Sequence, residues 1–116
     1  MRPHSLTAII IGIGMALLLG GISSQLHAQA GANGKALYDA NCAACHGPNG
    51  DGDTVIGKTL QASDLRSPEL LKKTDKELSA SIVDGKNNKM PPFKGKLKTE
   101  EVTALLKYVR ETLAKK

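Results

Sequence analysis

Cys42, Cys45 and His46, in the run Cys42-Ala43-Ala44-Cys45-His46, are the side chains of this sequence best suited to hold a prosthetic group. On a helix, residues i, i+3 and i+4 share a face with Cβ atoms about 5–6 Å apart, so two thiols and an imidazole can address one flat object. Two thiols at this spacing can each add across one vinyl group of a porphyrin. The imidazole directly after the second then lies beneath the iron. Cys-x-x-Cys-His is the pattern by which c-type haem is attached, with the histidine as proximal ligand.

Other chemistries fit less well. A thioredoxin-like dithiol expects a strand before the motif and a βαβ pattern around it, and the sequence shows neither. Structural zinc needs four ligands, whereas the chain has 2 cysteines and 3 histidines. Two of those histidines, His4 and His27, fall in an N-terminal segment that reads as removable. A disulfide would leave His46 without a role.

The same elimination addresses the far side of the iron. Beyond residue 30 the only histidine is His46 and the only methionine is Met90. Met90 is therefore the candidate sixth ligand, and Pro91 and Pro92 stiffen the glycine-bounded loop that carries it. An isolated methionine filling a core gap is the ordinary alternative, and Lys86, Lys89 or Lys94 are the alternative ligands.

The elements around these residues follow from local signals. Ala32 to Cys42 contains good helix formers, with Ala36, Leu37 and Ala40 at helical spacing, and predicts a first helix running into the motif. Gly34 inside it reads either as a point of close approach for another helix or as part of a frayed end. Gly47-Pro48-Asn49-Gly50-Asp51-Gly52 ends that helix. Asn49, Asp51 and Asp53 match the first positions of a calcium loop, but Thr54 and Leu60 stand where Gly and Glu are required, so the segment reads as a solvated loop. Val55, Ile56, Leu60 and Leu65 are expected to fold over one haem edge.

Ser67-Pro68-Glu69 predicts a short helix holding Leu70 and Leu71. Thr74-Asp75-Lys76-Glu77 is a capping box for a helix with Leu78 and Ile82 on one face and Gly85 as its stop. Gly85 to Lys98 has no helical period and reads as a loop. Thr99 is expected to cap a final helix with a core stripe of Val102, Leu105, Leu106, Val109 and Leu113.

The 116 residues suffice for one small domain. With no Trp and 1 Phe the apolar content is thin, which suits a chain whose core is completed by a buried haem. Residues 1–30 read as a signal peptide, with Arg2, an apolar run from Leu6 to Leu19 and the Ala28-Gln29-Ala30 cleavage pattern. Residues 31–116 are then the exported domain. The alternative is an uncleaved membrane anchor that leaves the domain facing the periplasm. The net charge is +5, and loss of Arg2 with the leader lowers it by one. A mildly basic balance without base-stacking aromatics suggests a redox partner with an acidic docking surface, and no nucleic acid.

Taken in order, Gly34 with Tyr38, Cys42 to Gly47, the Gly50-Asp51-Gly52 turn, Gly57 with Leu60, Ile82 with Gly85, Met90-Pro91-Pro92-Phe93, and Leu106, Tyr108 and Val109 in the closing helix form an ordered set. On that set the chain resembles the class I c-type cytochromes, over nearly all of residues 31–116. Within the class it is similar to small bacterial single-haem carriers, and Val55 to Leu60 is similar to the photosynthetic shuttle cytochromes. The resemblance implies an all-α fold of three to five helices around one covalently bound haem, with the first and last helices crossing near Gly34 and Tyr108. Many members have a proline shortly before the residue matching Leu60, whose carbonyl orients the proximal histidine. This chain has Gly57-Lys58-Thr59 there, so another carbonyl nearby must serve.

The function expected is a periplasmic, monomeric single-haem electron carrier with His46/Met90 iron, no vacant site for a small-molecule substrate and no enzymatic activity of its own. The alternatives are a haem subunit of a larger oxidoreductase complex, or a haem protein that binds a gas or peroxide.

Overall fold

The structure, a computed structural model, describes residues 31–116, so the leader read in residues 1–30 lies outside the described residues. Six α-helices follow one another: α1 Gly34–Asn41, α2 Ala43–His46, α3 Val55–Leu60, α4 Pro68–Leu71, α5 Asp75–Asp84 and α6 Thr99–Glu111. A single 3-10 turn, Leu113–Lys115, ends the chain. The all-α expectation holds, and two short helices raise the number. The first helix breaks at Cys42, whose φ of −121° separates α1 from α2. Residues 55–60, read as loop, close as α3 because the Thr54 side chain accepts from the Gly57 N–H and caps the turn.

Local signals explain most of the other boundaries. Asn33 caps α1 through the Ala36 N–H at 3.1 Å. Ser67 caps α4 with Pro68 in its first turn. The capping box of α5 is complete: the Thr74 N–H donates to Glu77 at 2.7 Å, and the Glu77 N–H donates to Thr74 Oγ1 at 3.2 Å. These bonds hold the Glu77 carboxyl below its ordinary range. Helix α6 starts one residue earlier than expected. Lys98, not Thr99, is its N-cap, because the Lys98 carbonyl already accepts from the Glu101 and Val102 N–H groups while the Glu101 carboxylate accepts the Lys98 N–H at 2.7 Å.

The core lies where α1 crosses α6. Tyr38, Leu105, Val109 and Leu113 form one buried cluster, with Leu37, Leu65 and Leu97 packed against it. A Cβ on Gly34 would stand 2.3 Å from the Ala104 carbonyl oxygen, so only glycine permits this approach of the two backbones. Of the two readings of Gly34, close approach is the one observed. Tyr108 meets Tyr38 nearby, ring centroids 5.4 Å apart and tilted by 51°. Arg110, on the outer side of α6, donates to Asp75 Oδ1 at 2.6 Å and to the carbonyls of Leu71 and Lys73. It thereby fixes the α4–α5 corner against α6.

Leu65 packs against this core, where its N–H bond to the Gly50 carbonyl places it. Val55 and Ile56 do not fold inward either, and remain 85% and 50% exposed. Helix α3 turns its glycine, not these side chains, toward α2.

Tyr38 ties core to motif. It is fully buried, and its O–H donates to the Gly47 carbonyl at 2.6 Å. Tyr38→Phe should cost about 1–3 kcal/mol, since the Gly47 carbonyl loses a buried donor. Burial also pushes the phenol pKa well above its ordinary value. The native state thus keeps a proton that the unfolded chain releases from about pH 10 upward, and stability falls as pH rises through that range. Thermal melts between about pH 8 and pH 11 should show a shallower fall in Tyr38→Phe than in the unaltered protein; parallel falls would contradict this assignment.

Candidate functional site

A cleft of about 220 Å³ opens between two walls. One wall is built from Asn41, Cys42, Cys45, His46 and the stretch Leu60–Ser63, the other from Lys86, Asn87, Lys89, Met90, Pro91 and Phe93. The four residues singled out by type and spacing, Cys42, Cys45, His46 and Met90, all line it.

The first wall is a short helix whose carbonyls all find donors. The carbonyl of Ala43 accepts from the Gly47 N–H, and that of His46 from the Gly52 N–H at 2.7 Å. Those of Ala44 and Cys45 lie 2.8 and 3.2 Å from Thr54 Oγ1, which donates to them. Tyr38 and the Gly50 N–H serve Gly47. A four-residue helix cannot hold itself. These outside donors set the direction in which Cys45 and His46 point. Gly57 completes the backing, since a Cβ there would stand 2.2 Å from the Cys45 carbonyl oxygen.

Cys42 and Cys45 are half-buried and unpaired, with no disulfide between them. Burial, with the Cys45 thiol adding, pushes the Cys42 thiol up to about 11. His46 is oriented by the Ser63 carbonyl, 2.9 Å from its Nδ1. A carbonyl only accepts, so Nδ1 carries the proton and Nε2 keeps its lone pair for a metal. The nearby carbonyl that the missing proline left open is therefore that of Ser63, just past Leu60. Arg66 braces this segment through a two-pronged contact with Asp64, both bonds 3.0 Å, and holds the Asp64 carboxyl below its usual range.

The second wall is a tight turn. The Lys86 carbonyl accepts from the Lys89 and Met90 N–H groups, and the Met90 carbonyl accepts from the Lys86 N–H, each at 3.0 Å. Asn87 and Asn88 both have positive φ, 55° and 53°, the conformation a two-residue turn of this hand demands and one that Asn tolerates. Gly85 makes room beneath, with φ +73° and a Cβ position 2.5 Å from the Met90 carbonyl oxygen. Phe93, buried, and Lys94 return the chain to the end of α5 through the Ile82 and Val83 carbonyls.

This donor set fits a haem. Two thiols that could bond the porphyrin edge line one largely apolar cleft with an imidazole whose Nε2 is free and a thioether, and these last two donors suit iron in a porphyrin. Among the described residues no group of three or more His, Cys, Asp and Glu could hold a metal ion; residues 49–53 form neither helix nor strand. No helix among them is long and apolar enough to cross a membrane.

The family described as "Cytochrome C oxidase, cbb3-type, subunit III" matches residues 29–109. Cytochrome c6 of a Nostoc species is 34% identical over 86% of this chain and 86% of its own length. Cytochrome c6 of Anabaena variabilis is 39% identical over 66% of this chain and 85% of its own. The cbb3-type oxidase subunit CcoP of Azospirillum brasilense is 36% identical over 71% of this chain, which corresponds to 28% of that longer subunit. Among solved structures, the KustC0563 c-type cytochrome has a TM-score of 0.63 at 38% identity, covering 68% of this chain and 95% of that one. With the α1–α6 crossing and the Cys-x-x-Cys-His cleft, these matches make the chain a member of the small class I c-type cytochromes, a haem electron-transfer protein with covalently bound haem c.

Proposed function

We propose that the chain is an exported carrier of single electrons, its haem bound through Cys42 and Cys45 and its iron held by His46 and Met90. The observation that carries this reading is the cleft itself, which draws Met90 from a distant loop to the same space as the oriented His46. With His46 and Met90 both on the iron, no position would remain for a substrate, and the group would serve only to pass an electron. The Arg2 region and the Ala28-Gln29-Ala30 pattern support export. The test is carbon monoxide added to the reduced protein. A carrier should respond slowly and to a small extent, whereas rapid and complete conversion would make this a gas-binding haem protein.

A second reading is a haem domain that works inside an oxidase assembly, favoured by the match to the longer CcoP subunit. Association that survives purification from native membranes would select it over the free carrier.

Lys86, Lys89, Lys94, Lys96 and Lys98 are all exposed, and the first two stand at the cleft. They form the proposed docking face for an acidic redox partner. The bimolecular electron-transfer rate should fall on the order of tenfold as salt rises from about 0.01 to about 0.3 M, because surface charges are screened beyond roughly 10 Å at 0.1 M. Lys94→Glu with Lys96→Glu should flatten that dependence. A rate indifferent to both salt and charge reversal would remove the docking face and leave the haem site as described.

A further inference from the structure

The two walls of the cleft come from separate stretches of chain, and among the described residues a single hydrogen bond joins them: Lys89 Nζ donates to Gln61 Oε1 across the opening. Both ends of this bridge rise from fixed backbone. Gln61 is the C-cap of α3, held at φ 57° with its N–H on the Gly57 and Lys58 carbonyls, and lies two residues before the carbonyl that orients His46. Lys89 closes the two-residue Asn turn and directly precedes Met90. Residues 86–90 are bonded to one another, while the next anchors, Phe93 and Lys94, lie on the far side of two prolines. Residues 86–90 can therefore move as a unit about Gly85, and among the described residues the Gln61–Lys89 bridge is the one polar link between that unit and the opposite wall.

We propose that Gln61 and Lys89 form a latch that sets how often the Met90 turn opens away from the cleft, and hence how readily a small exogenous ligand reaches the iron. Both are positioning residues. The inference rests on the reading of Met90 as the sixth ligand. Because both side chains are exposed, the bond is worth little in isolation, and its loss should shift the opening equilibrium only two- to fivefold. In the loaded protein the bridge would act beside the Met90–iron bond, which is why the shift expected from its loss is modest.

The test uses the haem-loaded protein with Gln61→Ala, Lys89→Ala and the double variant, together with Lys89→Arg, which retains a donor. Two quantities are measured: the rate of carbon monoxide binding to the reduced protein, and amide hydrogen exchange at Lys89 and Met90. Each single alanine variant should speed both about two- to fivefold, the double variant should go no further than the larger single, and Lys89→Arg should stay near the unaltered protein. Unchanged singles, or singles whose effects multiply in the double, would overturn the latch. Immediate carbon monoxide binding by the unaltered protein would instead refute Met90 ligation. In that event the exchange rates, which do not involve the iron, still decide whether the bridge restrains the turn.

Discussion

Replacing Met90 by Ala should leave the haem covalently attached while lowering the reduction potential and opening the sixth position. A thioether is a soft ligand that favours ferrous iron, and its loss to water favours the ferric state. The fall should be on the order of 0.1 V, a modest part of the roughly 0.8 V that axial ligands span. Carbon monoxide binding should accelerate by about a hundredfold if the bound methionine keeps the site closed some 99% of the time. The turn itself should survive, because its backbone bonds run between Lys86 and Met90 main-chain atoms and Gly85 accommodates the Met90 carbonyl rather than its side chain. The decisive reading is the sulfur-to-iron absorption band of the ferric protein. A band that persists in Met90→Ala would exclude this ligand and direct attention to Lys86 or Lys94.

Gly57→Ala should be the most damaging single-methyl change near the site. Its Cβ would stand 2.2 Å from the Cys45 carbonyl oxygen, 2.5 Å from that of Gly52 and 2.8 Å from Thr54 Oγ1. Two of these neighbours are backbone and cannot rotate away, so α3 must move off α2. That movement loosens the Thr54 bonds to Ala44 and Cys45. It also draws the following stretch, with the Ser63 carbonyl, away from His46. Overpacking of this kind should cost about 2–4 kcal/mol, lowering the melting temperature by on the order of 10 °C or more in a domain of this size. Gly95→Ala is the comparison. Gly95 has φ +77° but nothing within 4 Å of its Cβ position, so only the backbone penalty of roughly 1 kcal/mol applies. Equal melting temperatures for the two variants would show that the α2–α3 approach is not under steric control.

What the sequence made legible was whatever is encoded by side chains close together along the chain. The haem motif is such a case, and so are the Thr74–Glu77 capping box and the Val102–Leu106–Val109 stripe, because their partners stand within one or two helical turns. Met90 was reachable by counting alone. The Ser63 carbonyl was not, since a backbone oxygen has no residue type to betray it. Its position depends on how α3 ends at Gln61 in a left-handed conformation. The same holds for Tyr38, whose role rests on the Gly47 carbonyl rather than on any side-chain pattern. Val55 and Ile56 misled in the opposite direction. Their apolar character suggested burial, but the closest approach to α2 is made by Gly57, and a helix that turns its glycine inward turns its neighbours out. Thr54, at the head of α3, was the available signal for that helix: a Thr able to cap, ahead of Val55, Ile56 and Leu60.

The crossing of Gly34 over Ala104 also bears on the order in which the molecule assembles. It joins the first and last helices of the described chain, and contacts so far apart in sequence form slowly because a long loop must close before any packing repays it. Until α6 arrives, Tyr38 has no cover from Leu105 and Val109, and α1 has nothing to rest against. Cys42, which packs against the same cluster, lacks that cover as well. Docking of α6 on α1 is therefore expected late in folding, with α6 acting as the clasp that closes the core over Tyr38.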